Sequence, residues 1–211
     1  MIHVLIVDDH TIVRKGIKQL LEDTPDIRVS GEAEHTAEML RKIHHHHFDA
    51  VVLDISLPGR SGVEALKQLK NIKPDLPVLI LSMYPEDQYA LRVIKSGAAG
   101  YLTKESAPAE LENAIRKVSA GKRYISSKVA DTLADHLHES AETPTYKTLS
   151  DREFEVLRRI AAGETLTQIS QNLSLSVKTI STYRTRILNK LNLNNNSELI
   201  RYAIQHRLVD L

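Results

Sequence analysis

Short apolar runs alternate with longer amphipathic segments over the first 120 residues. The short runs are rich in β-branched residues, which is typical of buried strands, whereas the longer segments repeat their apolar residues at spacings of three and four, which is typical of helices. The predicted strands are 3–8, 27–32, 49–54, 77–82 and 100–103, and the predicted helices are 11–22, 36–46, 62–72, 86–96 and 107–120. Five successive strand–helix units predict an α/β fold, a doubly wound five-stranded parallel sheet with helices on both faces.

The alternation stops after residue 120. A linker, 121–147, contains one predicted helix at 127–139 and is followed by a purely helical pattern. Two short helices at 165–172 and 176–190, joined by a tight turn, predict a helix-turn-helix. The chain is therefore predicted to consist of a first domain at 1–120, a linker with a helix at 121–147, and a second, all-α domain at 148–211.

Two hydroxyl residues mark helix starts in the second domain. Ser150 and Glu153 have the spacing of a capping box, and Ser176 is the expected N-cap of the second helix of the helix-turn-helix. Both assignments predict where a helix begins, and they do not by themselves indicate a function.

Charge is unevenly distributed along the chain, although the net charge is only +1. Residues 1–120 contain 15 Lys and Arg against 17 Asp and Glu, whereas residues 174–207 contain 6 against 1. A basic patch confined to the C-terminal end predicts an anionic partner there. The absence of cysteine excludes disulfides and cysteine-based metal sites, and we expect a cytoplasmic protein without a secretory signal or a membrane span.

Polar side chains end or follow four of the predicted strands. Asp8 and Asp9 end the first strand, Asp54 ends the third, Ser82 ends the fourth, and Lys104 follows the fifth. Because the carboxyl ends of parallel strands meet at one edge of a sheet, we expect these side chains to lie close together. Neighbouring carboxylates repel each other unless a positive group shares the site, and carboxylate oxygens with few other ligands suit Mg²⁺.

The same edge offers a nucleophile. A carboxylate can form an acyl phosphate, and Asp54 is the best candidate because it would lie at the centre of the sheet edge. Lys104 could pair with a phosphoryl oxygen, and Ser82 could donate a hydrogen bond to it. Residues 57–62 predict a tight turn beside Asp54, with Ser61 as a candidate helix cap.

This set resembles the receiver domain of two-component response regulators, a flavodoxin-like fold. The matching motifs follow one another in order, with VDD at 7–9, VVLDISLPGRSG at 51–62, ILS at 80–82 and GYLTK at 100–104. The resemblance covers essentially all of residues 1–120. It is specific as a set, whereas paired aspartates at one strand end are more often part of a polar loop.

The resemblance implies a phosphoryl acceptor and a metal site. Asp54 would take a phosphoryl group from the phosphohistidine of a sensor histidine kinase, and slow hydrolysis would follow. Asp8, Asp9, Asp54 and the backbone carbonyl of Ser56 would bind Mg²⁺.

The resemblance also implies two switch residues. The hydroxyl of Ser82 would move towards the phosphoryl group, and the ring of Tyr101 would turn inward behind it. The chain departs from the pattern at Glu105, because many receivers have a proline after the lysine, with a cis peptide bond.

The helix predicted at 176–190 has two distinct faces. Val177, Ile180, Ile187 and Leu191 are expected to pack inward. The candidate DNA-binding residues are Lys178, Thr179, Ser181, Thr182, Arg184, Thr185 and Arg186. Lys178 and Arg184 are expected chiefly on phosphates, and Ser181, Thr182 and Thr185 near base edges.

This second region resembles the LuxR/NarL-type helix-turn-helix. The match rests on LSDREFEVLRRIAAGET, QIS and SVKTISTYRTRILNKL, and it departs at Ser181, where many members carry lysine. The last helix, 196–206, resembles the one that forms a dimer contact on DNA.

The two resemblances together predict a NarL/FixJ-type transcriptional regulator, switched by phosphorylation, that binds double-stranded promoter DNA. It would not be an enzyme beyond its own phosphoryl transfer and dephosphorylation. A phosphatase with an aspartate nucleophile is one alternative, but such enzymes often place a second carboxylate where this chain has Ser56. A transcription factor that does not use phosphate is another, and the complete set of aspartates and lysine argues against it.

Phosphorylation is expected to produce a homodimer, since one helix-turn-helix module reads one half-site. The candidate surfaces are the apolar stripe of the first helix and three residues of the last receiver helix, Ala114, Ile115 and Val118. A run of four histidines at 44–47 is expected at the end of the second helix, where positive charge suits the helix dipole, and metal binding is the alternative.

Overall fold

The computed structural model describes residues 1–57, 62–84, 86–126, 129–130, 145–206 and 208–209. The chain forms two compact units, 1–137 and 138–211. Ser61 and most of the predicted linker helix at 127–139 lie outside the described residues, and the boundaries of the linker stay a prediction.

The first unit contains the predicted parallel sheet. Its strands are β1 (Ile2–Val7), β2 (Ile27–Ala33), β3 (Ala50–Asp54), β4 (Val78–Ser82) and β5 (Gly100–Thr103). They lie in the order β2-β1-β3-β4-β5, and every pairing between neighbours is parallel. β3 and β4 are buried along their whole length, which explains their unbroken apolar runs. The predicted fold class is confirmed.

The helices of this unit lie between and after the strands, close to their predicted bounds. They are α1 (Thr11–Glu22), α2 (Thr36–His45), α3 (Gly62–Ile72), α4 (Glu86–Lys95) and α5 (Ala107–Ser119). His44 and His45 lie in the last turn of α2, the position at which positive charge would suit the helix dipole.

One predicted dimer surface is wrong. Ala114, Ile115 and Val118 are all fully buried, because α5 packs its apolar face on the sheet. On α1, Ile17 and Leu21 are buried while Ile12 is 86% exposed. The apolar residues of α1 therefore divide between the core and the surface.

The second unit is all-helical. A 3-10 turn at Thr145–Thr148 precedes four helices, which are α6 (Asp151–Ala161), α7 (Leu166–Asn172), α8 (Val177–Leu191) and α9 (Asn196–Gln205). The predicted capping box of Ser150 and Glu153 is present, and the Ser176 side chain accepts a hydrogen bond from the Thr179 N–H. Among the described residues, no helix is both long and apolar enough to cross a membrane.

The predicted inward face of α8 is correct except at its first residue. Ile180 and Ile187 are fully buried and Leu191 nearly so, whereas Val177 is 44% exposed. Val177 is the first residue of the helix and directly follows the turn, where packing covers only part of its side chain. The inward packing predicted for Val177 is therefore wrong.

Candidate functional site

The predicted carboxylates meet at one edge of the sheet. Asp8 directly follows β1, and Asp54 ends the adjacent β3, whose Leu53 pairs with Val7. Asp8 and Asp54 are 1% and 2% exposed, and Asp9 is half-buried. Two adjacent strands therefore hold two buried carboxylates side by side, an arrangement that needs a positive counter-charge.

Lys104 provides part of that charge. Its Nζ donates a hydrogen bond of 2.6 Å to Asp8 Oδ2 and lies 3.3 Å from Asp54 Oδ2, an ion pair whose geometry falls short of a hydrogen bond. Its backbone N–H donates to the Ser82 carbonyl oxygen at 2.7 Å, which continues the β4–β5 pairing beyond β5. Burial works to lower the pKa of Lys104, but the charges of Asp54 and Asp8 outweigh it and the pKa is raised.

The negative charge of Asp54 is only partly compensated by Lys104. Burial raises the pKa of Asp54 to about 6, the Lys104 charge opposes this rise, and the Asp8 charge adds to it. Within the described part of the chain, neither carboxylate oxygen of Asp54 has a hydrogen-bond partner that satisfies normal geometry. A buried carboxylate in this condition fits a bound cation, and oxygen ligands are those that Mg²⁺ prefers.

The start of α3 is packed closely against Asp54. The Gly62 N–H donates to the Ile55 carbonyl oxygen at 2.8 Å, and a Cβ at Gly62 would lie only 2.4 Å from the Asp54 carbonyl oxygen. Glycine is therefore required here by the close approach of the two backbones.

Sequence reasoning missed Arg14, which supports the same site from α1. Arg14 is 6% exposed, and its Nη1 donates a hydrogen bond of 2.7 Å to the Asp8 carbonyl oxygen. Its Nη2 lies 2.5 Å from Glu34 Oε1. The spacing of Arg14 could have identified it, because residue 14 lies on the same buried helix face as Ile17 and Leu21.

Ser82 and Tyr101 are linked through a residue that the sequence analysis did not single out. Ser82 is fully buried at the end of β4, and its Oγ accepts a hydrogen bond of 3.0 Å from the Tyr84 N–H. The Tyr101 ring is 1% exposed, and its hydroxyl donates to the Tyr84 carbonyl oxygen at 2.7 Å. The two predicted switch residues thus contact the same backbone segment.

Two further predicted features lie beside the acidic site. Ser56, whose carbonyl is a candidate ligand, is half-buried two residues after Asp54. The bond between Lys104 and Glu105 is trans, as are all peptide bonds of the described residues. The lysine therefore reaches both carboxylates from a loop without a cis peptide.

In the second unit, most of the predicted DNA-binding residues lie on the exposed side of α8. Lys178, Ser181, Thr182, Thr185 and Arg186 are exposed, whereas Thr179 and Arg184 are only half-exposed. The Nε of Arg184 donates a hydrogen bond of 2.5 Å to Asn196 Oδ1 on α9, which keeps this side chain close to the protein surface.

The two exposed threonines use their hydroxyl protons within the helix. Thr182 Oγ1 donates to the Lys178 carbonyl oxygen at 3.0 Å, and Thr185 Oγ1 donates to the Ser181 carbonyl oxygen at 3.1 Å. In this conformation each side chain offers a methyl group and an accepting oxygen to a ligand, but no donor.

An ion pair between the exposed Lys190 of α8 and the buried Glu153 of α6 joins these two helices. Lys190 Nζ lies 2.7 Å from Glu153 Oε2, and the Glu153 side chain is 4% exposed. The same carboxylate accepts the N–H of Ser150 in the capping box. Burial works to raise the pKa of Glu153, but the hydrogen bonds from Lys190 and Ser150 outweigh it and the pKa is lowered.

Comparison with protein families assigns each unit separately. Residues 4–116 match the response regulator receiver domain, and residues 147–203 match the bacterial regulatory proteins of the luxR family. These are the two regions in which the sequence analysis placed its two resemblances.

Similar proteins span essentially the whole chain. Response regulator UvrY of Escherichia coli K12 is 39% identical over 209 residues, covering 99% of this chain and 96% of UvrY. Response regulator GacA of Pseudomonas viridiflava is 39% identical over 211 residues, covering 100% and 99%. A solved structure of RcsB from Salmonella enterica serovar Typhimurium, bound to promoter rprA in the presence of the phosphomimetic BeF₃⁻, is 27% identical with a TM-score of 0.66, covering 96% of this chain and 98% of that one.

Proposed function

Because the chain belongs to the two-component response regulators that join a receiver domain to a LuxR-type DNA-binding domain, we propose that Asp54 is its phosphoryl acceptor. The donor is the phosphohistidine of a sensor histidine kinase, and the phosphorylated protein binds promoter DNA as a homodimer in the cytoplasm. The observation that carries this proposal is the buried Asp54 carboxylate, which lies beside Lys104 and Asp8 and lacks hydrogen-bond partners among the described residues.

The chemistry requires a nucleophile and compensation of negative charge. An Asp54 oxygen attacks phosphorus, an acyl phosphate bond forms, and the bond to the donor histidine nitrogen breaks. Lys104 is within reach of two carboxylates and can pair with a phosphoryl oxygen once Asp54 is modified. Asp8, Asp9, Asp54 and the Ser56 carbonyl would hold Mg²⁺, which supplies charge neutralisation for the incoming phosphoryl group.

The proposed product is a modified regulator rather than a released phosphate. Position 56, where an aspartate-nucleophile phosphatase often has a second carboxylate, is a serine that cannot act as a general acid. We therefore expect self-phosphorylation and slow self-dephosphorylation, without turnover of other phosphoesters.

Ser82 and Tyr101 are the proposed switch. The Ser82 hydroxyl is buried at the end of β4, beside the strand that carries Asp54, and it can turn towards a phosphoryl oxygen. Its bond from the Tyr84 N–H would then be lost, and Tyr84 also binds the Tyr101 hydroxyl. The phosphoryl group would bias two states of this segment, as a ligand biases any two-state element.

The proposed DNA interface is the exposed side of α8 in the major groove. The sixfold excess of basic over acidic residues in 174–207 favours a polyanion, and α8 presents small side chains that admit close approach to bases. RcsB, a structural relative, has been solved on promoter DNA with a phosphomimetic, which supports the same pairing of functions in this chain.

Labelling with a phosphodonor tests the acceptor directly. Wild type, Asp54→Asn and the control Asp49→Asn, which alters a half-buried carboxylate outside the acidic cluster, are treated with acetyl phosphate and Mg²⁺. We expect a hydroxylamine-labile label in wild type and in the control but not in Asp54→Asn. Undiminished labelling of Asp54→Asn would show that another residue is the acceptor.

A further inference from the structure

The ring of His10 lies against two carboxylates of the proposed metal site. His10 Nδ1 is 3.0 Å from Asp9 Oδ1 and 3.2 Å from Asp8 Oδ1. Asp8, Asp9, His10 and Asp54 each offer one ligand atom, and these four atoms lie within 4.8 Å of one another. The imidazole nitrogen is therefore positioned as a fourth potential ligand beside three carboxylates.

Neither helix capping nor burial accounts for this orientation of the ring. His10 is the N-cap residue of α1, yet its side chain makes no capping hydrogen bond. The ring is 63% exposed, so packing does not force it towards the aspartates. What the ring contacts is the pair of carboxylates on which a cation would bind.

A buried atom in the same cluster is an independent observation that fits a cation ligand. Asp54 Oδ1 is buried and has no hydrogen-bond partner in the described ranges, and Lys104 approaches the other oxygen of Asp54. Opposite ligands of a small divalent ion are about 4.2 Å apart, so the four atoms need only a small contraction to surround one ion.

We propose that His10 Nδ1 is a nitrogen ligand of this site, which therefore prefers first-row divalent transition ions such as Mn²⁺ and Co²⁺ to Mg²⁺. Mg²⁺ favours oxygen ligands, whereas imidazole is a good ligand for transition ions, and its contribution rises from Mn²⁺ to Co²⁺. The proposal rests on the proposed function only in using the same acidic site.

The histidine run at 44–47 would obscure this effect, because exposed imidazoles bind transition ions by themselves. All four side chains are exposed, so their replacement by asparagine gives a suitable background chain. In this full-length background, His10→Ala removes the proposed nitrogen ligand, and Asp9→Ala removes an oxygen ligand for comparison.

Affinity is measured by the loss of the free Mn²⁺ electron paramagnetic resonance signal and by competition of Mg²⁺ and Co²⁺ with Mn²⁺. We expect His10→Ala to weaken Co²⁺ binding by about tenfold or more, Mn²⁺ binding less, and Mg²⁺ binding by less than about twofold. Asp9→Ala should weaken all three. Bound Mn²⁺ should also show hyperfine coupling to one histidine nitrogen, and this coupling should be absent in His10→Ala.

Two results would overturn the proposal. Equal losses for all three ions in His10→Ala would mean that His10 only positions the carboxylates, and unchanged affinities with no nitrogen coupling would mean that it is not a ligand. In both cases Mg²⁺ binding and Asp54 labelling in the background chain would leave the proposed function intact. Failure of that chain to bind Mg²⁺ or to be labelled would instead overturn the proposed function.

Discussion

The Tyr101 hydroxyl donates a hydrogen bond of 2.7 Å to the carbonyl oxygen of Tyr84, while the N–H of Tyr84 donates to Ser82 Oγ at 3.0 Å. One residue therefore links a buried aromatic ring to a buried hydroxyl beside the proposed phosphorylation site. Both hydrogen bonds use backbone atoms of Tyr84. A movement of the Ser82 hydroxyl can therefore affect Tyr101 without involving the Tyr84 side chain.

Tyr101→Phe should weaken this link while keeping the ring. Loss of one buried hydrogen bond should cost about 1 kcal/mol of unfolding free energy, and beryllofluoride should increase DNA affinity less than in wild type. Urea denaturation and DNA titration measure the two effects. Tyr84→Phe is the control, because it keeps both backbone groups, and an unaltered beryllofluoride response in Tyr101→Phe would refute the switch role.

Lys104→Met should strongly destabilise the metal-free protein at neutral pH. It leaves Asp8 and Asp54 buried without their cation, a change that costs about 3–5 kcal/mol in comparable buried pairs. Mg²⁺ should restore more stability to the variant than to wild type, since it replaces the lost charge. Denaturation with EDTA or with Mg²⁺ measures this, and an equal effect of Mg²⁺ on both proteins would contradict it.

Asp54→Asn should stabilise the metal-free protein above about pH 6. The pKa of Asp54 rises from its ordinary value of 3.8 to about 6, mainly by burial. Below pH 3.8 the carboxyl is protonated in both the folded and unfolded states, so its ionisation has no effect on stability. As the pH rises from 3.8 to about 6, the unfolded state ionises while the folded state stays protonated, and by about pH 6 wild type has lost about 3 kcal/mol relative to the variant, with no further loss above that pH.

Denaturation in EDTA between pH 4.5 and 7.5 tests the predicted direction of this pH dependence. The stability difference between Asp54→Asn and wild type should grow up to about pH 6, level off above it, and shrink when Mg²⁺ is added. A difference that is independent of pH would show that Asp54 is not held in its neutral form by burial.

Lys178→Ala and Thr182→Ala should affect DNA binding in different ways. Loss of a phosphate contact at Lys178 should weaken binding to all sequences and reduce the salt slope by about one. Loss of a base contact at Thr182 should relax the preference at one position by about 1–3 kcal/mol while sparing non-specific binding. Selection from a randomised half-site library at two salt concentrations separates these effects, and an unchanged motif in Thr182→Ala would exclude it as a reading residue.

Thr182 also permits a finer test. Its hydroxyl donates to the Lys178 carbonyl oxygen, so the methyl group is the part most available to a base. Thr182→Val should therefore retain more of the preference than Thr182→Ser, particularly for a thymine methyl group. Replacement of thymine by uracil in the selected site should abolish the difference between the two variants, and the opposite ranking would show that the hydroxyl reads the base.

The sequence predicted the acidic site because each of its groups stands at a strand end. In a parallel sheet this position alone brings Asp8, Asp54 and Lys104 to one edge. Arg14 was missed although its spacing on the buried face of α1 was visible, because charge normally predicts exposure. Tyr84 could not be identified, since it acts through backbone groups that its residue type does not reveal.

Errors occurred where a helix face had to be divided between core and surface. The apolar pattern of α5 suggests a dimer surface, yet Ala114 and Ile115 are fully buried in the core that covers the sheet. Periodicity predicts that Val177 packs in the core, but it is the first residue of α8 and is 44% exposed. Periodicity gives the direction of a side chain but not the extent of the surface that meets it.

The strand order also determines when the acidic site is completed during synthesis on the ribosome. β1 lies between β2 and β3, so these three strands can pair once residue 54 has emerged, and Asp8 and Asp54 then lie side by side. Lys104 emerges 50 residues later, which takes about 3–10 s at ordinary elongation rates. Pairing of these three strands alone would place two carboxylates side by side before their lysine is available, and metal ions of the surrounding solution would be their counter-charge during that interval.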